Sequence, residues 1–175
     1  PTLDEIEHRI IEAALEFSKH NLSRAARLLG ISRDAVRYRL EKHRGYEVKR
    51  SDDRLMAAFA SAADAARFVL DVLGGGEALR IGVHTGDPIR ETDPATGPAH
   101  YFGPTVNRAA RIAEAAHPGQ AVFSGPALMA AGDAILGADV VPLGEHRMKG
   151  LERPEPLFQI LPGALKGRSF GPLRT

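Results

Sequence analysis

The chain has 175 residues, of which 43% are hydrophobic and 26% charged, and its formal net charge is +1. This composition is ordinary for a globular protein and argues against an intrinsically disordered chain. The absence of cysteine excludes disulfides and cysteine-ligated zinc, and no apolar run is long enough to span a bilayer or serve as a signal peptide. We therefore expect a cytoplasmic protein with no membrane partner.

Positive charge is concentrated in one early segment. Between residues 21 and 45 there are seven basic and two acidic residues, a local balance of +5, so the remainder of the chain sums to −4. A concentrated basic segment in a nearly neutral chain is typical of a surface that binds a polyanion. A solvated basic helix is the alternative interpretation.

Three helices are predicted at the start of the chain. The first runs to about residue 18 behind a capping box, and the second covers residues 22–29 after Asn21. Ser32 caps a third helix that extends to about residue 43. A short helix, a turn and a basic helix are typical of a helix-turn-helix, whose last helix enters the major groove of DNA.

The sequence N-L-S-R-A-A-R-L-L-G-I-S-R-D-A-V-R-Y-R-L-E-K-H, at residues 21–43, closely resembles the Fis-type DNA-binding domain of bacterial enhancer-binding activators. With the preceding helix, the resemblance covers residues 3–43. It implies a three-helix domain over residues 1–45 that binds duplex DNA as a homodimer and needs no cofactor to do so. The residues at the positions where that family meets DNA are Ser32, Arg33, Ala35, Arg37 and Tyr38. A purely structural helical hairpin is the alternative.

Strands and helices are predicted to alternate in the remaining chain. Period-two apolar patterns indicate the strands, and apolar spacing of three and four residues indicates the helices. The predicted elements, in order, are strands at 46–50 and 55–59, a helix at 61–73, a strand at 79–85, a hairpin of 87–90 with 99–102, a helix containing Asn107 and Arg111, a strand at 120–124, a short helix near 126–131 and a closing strand pair.

Asn107 and Arg111 lie four residues apart in the predicted helix, so they share one helical face. An amide and a guanidinium presented together just after a Gly-Pro turn suit a sugar hydroxyl and the charge that develops on a phosphate. The alternative is an amphipathic helix on which Arg108 and Arg111 are merely solvated.

The segment Y-F-G-P-T-V-N-R-A-A-R-I, at residues 101–112, resembles the nucleotide cyclase homology domain, the catalytic fold of adenylate and guanylate cyclases. The resemblance implies that Asn107 orients the ribose and that Arg111 stabilises the transition state. It covers residues 46–162 and leaves 163–175 as a tail. The implied fold is α+β, with the N-terminal three-helix domain followed by a truncated ferredoxin-like α/β sandwich.

Four further residues match functional positions of the cyclase family. The hairpin resembles the family's V-K-x-x-G-D-G-x-M-A-x-F, which implies a metal-binding role for Asp53 and a purine-selecting role for Lys49. Lys149 matches a lysine that contacts the triphosphate, and His100 stands where the family often reads the purine edge with an aspartate. A carboxylate in a hairpin turn and a basic turn residue are the structural alternatives for Asp53 and Lys149.

The chain departs from the cyclase pattern in two places. Asp52 and Arg54 replace the two hairpin glycines, which predicts a reshaped turn. The family's domain also opens with a strand that carries a first metal aspartate and with two helices, whereas here the DNA-binding helices occupy that position. Because cyclisation uses two metal ions held by paired aspartates, Asp53 alone is a poor substitute.

Two functions therefore compete. The first, which the sequence favours, is a DNA-binding regulator whose inactive cyclase-like domain serves dimerisation or nucleotide sensing. The second is an adenylate or guanylate cyclase that carries a DNA-binding module, for which Mg or Mn would be required. The expected partners are duplex DNA, a second copy of the chain, and either a purine nucleotide or a full-length cyclase.

Overall fold

The structure, a computed structural model, describes residues 31–51, 54–92, 94–95, 97 and 99–175, with side chains placed for all of these except 31–33 and 99. The chain divides into two compact units, Pro1–Arg39 and Leu40–Thr175. The first two predicted helices, and with them the three-helix arrangement expected for residues 1–45, lie outside the described residues.

Helix α1 (Ile31–Lys42) corresponds to the predicted third helix, but Ser32, expected to cap it, lies within the helix, which already includes Ile31. The helix ends in a left-handed cap. Arg44 has a φ of 58°, and the amide of Gly45 donates a hydrogen bond to the carbonyl of Leu40 at 2.8 Å. This pattern is that of a Schellman cap. A Cβ at residue 45 would collide with Leu40 and lie 2.7 Å from the ring of Phe59, so glycine allows this close packing.

The predicted first hairpin is confirmed. Strands β1 (Tyr46–Arg50) and β2 (Leu55–Ala58) pair antiparallel, with a register shift between Glu47 and Lys49. They form a separate two-stranded sheet among the described strands.

Helix α2 (Ala62–Gly74) begins at a side-chain cap and carries a buried apolar face. The hydroxyl of Ser61 accepts hydrogen bonds from the amides of residues 63 and 64, which satisfies two donors at the helix start. On the same helix, Asp71 accepts from Lys42 Nζ at 3.2 Å and lies 2.9 Å from His43 Nε2. These contacts tie the end of α1 to α2 within the second unit.

A four-stranded mixed sheet forms the centre of the second unit and consists of β3 (Ile81–Val83), β6 (Ala121–Ser124), β7 (Asp139–His146) and β8 (Glu155–Leu161). The strand order is β3-β6-β8-β7. Strands β3 and β6 are parallel, and β8 pairs antiparallel with both β6 and β7. A buried amide pair lies beside β6, where Gln120 donates to Gln159 at 2.8 Å.

A second hairpin precedes the helix that bears the Asn–Arg pair. Strands β4 (Ile89–Thr92) and β5 (Ala99–Phe102) pair antiparallel, and Ile89 and Phe102 lie opposite each other with both side chains exposed. Helix α3 (Pro104–Ala115) follows. A core cluster joins α3 to the sheet and consists of Ile112, Ala116, Val122, Met148 and Leu157.

The short helix α4 (Gly125–Ala131) leads through a 3-10 turn (Gly132–Ile135) to β7. Ser124 caps α4 by accepting from the amide of Ala127 at 3.3 Å. Met129 on α4 is 84% exposed. This helix therefore presents an apolar side chain to solvent.

The C-terminal tail packs against the end of α3. The amide of Arg174 donates to the carbonyl of Ala115 at 3.0 Å, and Leu173 packs on the core cluster. His117 lies 2.8 Å from the carbonyl of Pro172 and stacks on Phe170. Residues 170–174 are therefore part of the packed second unit.

The predicted order of elements in residues 46–162 is confirmed, and the second unit has an α+β fold. The predicted strand 79–85 is shorter, at Ile81–Val83, because only these three residues pair with β6. Within the described part of the chain, no helix has both the length and the hydropathy that a membrane span requires.

Candidate functional site

Asn107 and Arg111 lie one turn apart near the start of α3, and both are exposed. Gly103 has a φ of 101° and Pro104 is the first helical residue, a combination in which glycine permits the turn and proline suits the first position. The amide of Asn107 donates to the carbonyl of Gly103 at 3.0 Å. The chain therefore enters the helix abruptly, and the amide and guanidinium share one face, as predicted.

Gly82 of β3 sets the closeness of α3 to the sheet. A Cβ there would collide with the backbone nitrogen of Ala113 and lie 2.6 Å from the carbonyl oxygen of Ala109. The backbone of the helix thus lies directly on the strand. This packing fixes the position of the turn that carries Asn107 and Arg111.

Arg111 is engaged by a neighbouring carboxylate. Its Nη1 lies 2.9 Å from one oxygen of Glu114, and Nη1 of Arg54 lies 3.4 Å from the other. All three side chains are substantially exposed, with relative accessibilities of 71% for Arg54 and 43% for the other two. The sequence analysis considers Arg54 only as the replacement of a hairpin glycine, and it does not identify Glu114. The position of Glu114 three residues after Arg111 is the pattern from which an ion pair on the helix could have been predicted.

A second polar group lies where β3 and β6 end. Nδ1 of His84 is 2.7 Å from the hydroxyl of Ser124. Burial, and then the positive charge of Arg108, lower the pKa of His84 from 6.5 to about 4. The imidazole is therefore neutral at pH 7.

Arg108 and Glu155 form an ion pair behind the exposed face of α3. Nε of Arg108 lies 3.6 Å from the Glu155 carboxylate, which is largely buried. That nitrogen is itself buried and makes no hydrogen bond. Arg108 is therefore not merely solvated, and it contributes to the electrostatic environment of His84.

The other residues expected to bind nucleotide are exposed and separate from Arg111 in their contacts. Lys49 lies on β1 opposite Met56, and His100 lies on β5 opposite Glu91. Lys149 lies in the turn between β7 and β8. Among the described hydrogen bonds and ion pairs, none joins these three side chains to Asn107 or Arg111.

The expected metal ligand Asp53 lies outside the described residues. In the part of the chain that the structure covers, no group of three histidine, aspartate or glutamate side chains is arranged to hold a metal ion. The carboxylate nearest to Arg111 is that of Glu114, which is already bonded to two guanidiniums. The Glu114 carboxylate is therefore engaged by two arginines.

Helix α1 separates buried from exposed side chains along its described length. Val36 and Leu40 are buried, whereas Arg37 and Tyr38 are exposed and Ala35 is half-buried. Ser32 and Arg33 lie in the first turn of the helix, and their side chains are outside the described set. The exposed positions carry a cation and an aromatic ring with a hydroxyl, groups that bind phosphates and base edges.

Comparison with known proteins finds two kinds of similarity, to a DNA-binding regulator family and to nucleotide cyclases. Residues 2–43 match the family described as bacterial regulatory protein, Fis family. An uncharacterised protein of Mycobacterium tuberculosis is 40% identical over 146 residues, covering 78% of this chain and 47% of the relative. The chain thus spans about half the length of this relative.

The cyclase likeness extends to both sequence and structure. An adenylate cyclase of Neurospora crassa is 26% identical over 211 residues, covering 85% of this chain and 9% of that protein. A solved adenylate cyclase structure from Trypanosoma brucei superimposes with a TM-score of 0.71 at 24% identity, over 83% of this chain and 82% of that one. At this identity the structural likeness shows the fold.

Proposed function

We propose that this protein is a DNA-binding regulator whose second domain senses a nucleotide or mediates dimerisation. The proposal starts from the similarity of one segment to Fis-family helix-turn-helix proteins and of the chain to nucleotide cyclases. The observation that carries the proposal is the combination of a Fis-family match with an α1 that exposes Arg37 and Tyr38 and buries Val36 and Leu40. One apolar face and one basic face are what a recognition helix needs.

DNA binding is proposed to rest on phosphate contacts from the basic segment and base-edge contacts from α1. Each phosphate contact releases a counterion, so log affinity falls with log salt by about 0.9 per contact. A two-fold dimer would require two half-sites about one helical turn apart. Arg33, Arg37 and Tyr38 are the side chains assigned to this surface, with Ser32 and Ala35 beside them.

Fluorescence anisotropy with duplex DNA at several salt concentrations tests this assignment. We expect the variant Arg33→Ala/Arg37→Ala to bind at least about 10-fold more weakly at low salt and to lower the salt slope by about 2 per chain. Arg67→Ala is the control, because Arg67 is exposed on α2 and pairs only with Asp64 among the interactions described. Unchanged affinity of the double variant would exclude α1 as the recognition helix.

We propose that the isolated chain does not cyclise ATP or GTP. Asp52 and Arg54 replace the two glycines of the cyclase hairpin around Asp53, and Glu114 competes for the guanidinium that would stabilise the transition state. The expected result is no cAMP or cGMP with Mg or Mn, measured by chromatography. Product that disappears in Asp53→Ala would instead make the chain an enzyme.

The second candidate is a cyclase half that works with a partner. It is favoured by the exposure of Asn107 and Arg111 on one face of α3, where a second protein has access to them. In this case Lys49, Asn107, Arg111 and Lys149 would serve a nucleotide whose metal ions are held by the other protein. Mixing the chain with an Arg-deficient full-length cyclase would restore product only if this candidate is correct.

A further inference from the structure

Two guanidiniums converge on one carboxylate at the exposed face of α3. Nη1 of Arg111 lies 2.9 Å from Oε2 of Glu114, and Nη1 of Arg54 lies 3.4 Å from Oε1. Arg54 comes from the hairpin and is 60 residues away from Glu114 in sequence. The contact therefore depends on the fold that brings the start of β2 beside α3.

In this arrangement the Glu114 carboxylate is the anion that the two guanidiniums share. Each guanidinium carries several fixed donors, and two of them around one acid suit a group with two or more oxygens. A phosphate offers more acceptor oxygens and more negative charge than a carboxylate. The two arginines can therefore hold a phosphate at least as well as they hold Glu114.

The Glu114 contacts are also weak enough to be exchanged. Exposed ion pairs contribute only about 0.2–1 kcal/mol, because water screens them and two long side chains must be ordered. Arg54 is the most exposed of the three. Displacing Glu114 therefore costs little compared with a charge-assisted hydrogen bond to phosphate.

We infer that Arg54 and Arg111 form a two-arginine clamp for the phosphates of a nucleoside polyphosphate, and that Glu114 occupies this clamp when no ligand is bound. The inference rests on the nucleotide binding proposed above and names the contacts that bring it about. Arg54, which stands where the cyclase hairpin has a glycine, supplies the second cation. Glu114 lowers the affinity of the free protein for anions.

The chain contains a matched control for this arrangement. Arg67 and Asp64 form an ion pair on α2 with the same three-residue spacing as Arg111 and Glu114, at 3.1 Å. Asp64 has no second arginine among its described contacts. Removing its charge changes the net charge of the chain as Glu114→Gln does, without touching the clamp.

The experiment is calorimetric titration with inorganic triphosphate, without metal and at low salt. We expect Glu114→Gln to bind about 5-fold more tightly than the unaltered chain, and Arg54→Gln and Arg111→Gln to bind about 5-fold more weakly. Asp64→Asn should match the unaltered chain. All of these side chains are exposed or partly exposed, and circular dichroism melting checks that each variant is folded.

A double-variant comparison separates a clamp from a general effect of charge. If Glu114 blocks the clamp, its removal has no effect in Arg54→Gln/Arg111→Gln, whereas a general charge effect persists there. Persistence of the gain, or equal affinities of Glu114→Gln and Asp64→Asn, would overturn the inference. So would an absence of triphosphate binding in every variant.

A parallel titration with a non-hydrolysable ATP or GTP analogue distinguishes this inference from the proposed nucleotide function. Triphosphate binding that depends on both arginines, without any analogue binding, would leave a two-arginine anion site but reject both nucleotide sensing and the nucleoside polyphosphate inferred as its ligand. Analogue binding that is lost in Asn107→Ala but indifferent to Arg54→Gln and Glu114→Gln would reject the clamp and leave nucleotide sensing in place.

Discussion

Replacing Gly82 with alanine tests whether β3 and the backbone of α3 touch. The added Cβ would lie 2.6 Å from the carbonyl oxygen of Ala109 and 2.8 Å from Cα of Ala113, and it would be closer still to the Ala113 nitrogen. Comfortable separations are about 3.5 Å or more. The helix must therefore move away by about 1 Å, because backbone atoms cannot rotate aside as a side chain can.

Such overpacking costs about 1–3 kcal/mol, and Gly82→Ala lies at the upper end because the three nearest atoms to the new Cβ are all backbone atoms of α3. We expect a loss of about 3 kcal/mol in the free energy of unfolding, measured by urea denaturation followed by circular dichroism. Gly74→Ala is the control, because nothing lies within 4 Å of a Cβ at that helical position. It should be neutral or more stable by up to about 1 kcal/mol.

A loss below about 0.5 kcal/mol in Gly82→Ala, or one equal to that of Gly74→Ala, would refute the close packing of strand and helix. The same displacement should also move the turn that carries Asn107. Weaker triphosphate or nucleotide binding in Gly82→Ala is therefore expected if that turn contributes to a site.

Three further predictions concern single contacts. The folded-state pKa of His84 is lowered to about 4. Between pH 6.5 and 4 the unfolded chain therefore binds a proton at this residue that the folded chain does not bind. The free energy of unfolding should be intact above pH 6.5 and should fall as the pH decreases through that window. The full pKa shift corresponds to a loss of about 3 kcal/mol of stability, and because solvent screens the half-buried ring, we expect a loss of about 1–2 kcal/mol. His84→Asn should reduce the difference between the free energies of unfolding measured by urea titration at pH 7 and at pH 4.5. Gln120→Leu removes the donor to buried Gln159 and should lower the free energy of unfolding by about 2 kcal/mol. The double variant Gln120→Leu/Gln159→Leu should recover part of this loss. A single variant that is as stable as the unaltered chain would contradict the prediction. Ser61→Ala should lose about 1 kcal/mol with the cap of α2, and an unchanged unfolding midpoint would show that the cap is dispensable.

Local patterns were sufficient to predict the elements of the second unit. Alternating and helical apolar spacing places β1, β2 and α2 within two residues of their observed ends. The extent of β3 was less predictable, because a strand ends where its partner β6 ends and not where the apolar run ends. Tertiary pairing of this kind leaves no local signal.

In the candidate site too, local spacing could be predicted from the sequence, whereas a contact between distant segments could not. The four-residue spacing of Asn107 and Arg111 predicts one exposed face, and the helix confirms it. The contact between Arg54 and Glu114 depends on two segments that only the fold brings together. In the sequence, Arg54 is notable because it replaces a glycine of the cyclase hairpin. The structure adds that its guanidinium contacts the carboxylate of Glu114.

The three methionines of the chain differ widely in burial, and this has a consequence for oxidative chemistry. Met129 is 84% exposed on α4, whereas Met148 is 3% exposed in the core cluster. Peroxide should therefore convert Met129 to the sulfoxide first, with little effect on packing, because the modified side chain stays in water. Oxidation of Met148 requires the core to open, whereas Met56 on β2 is half-buried. Peptide mass analysis that times the oxidation of Met148 relative to that of Met129 would therefore report local unfolding near α3.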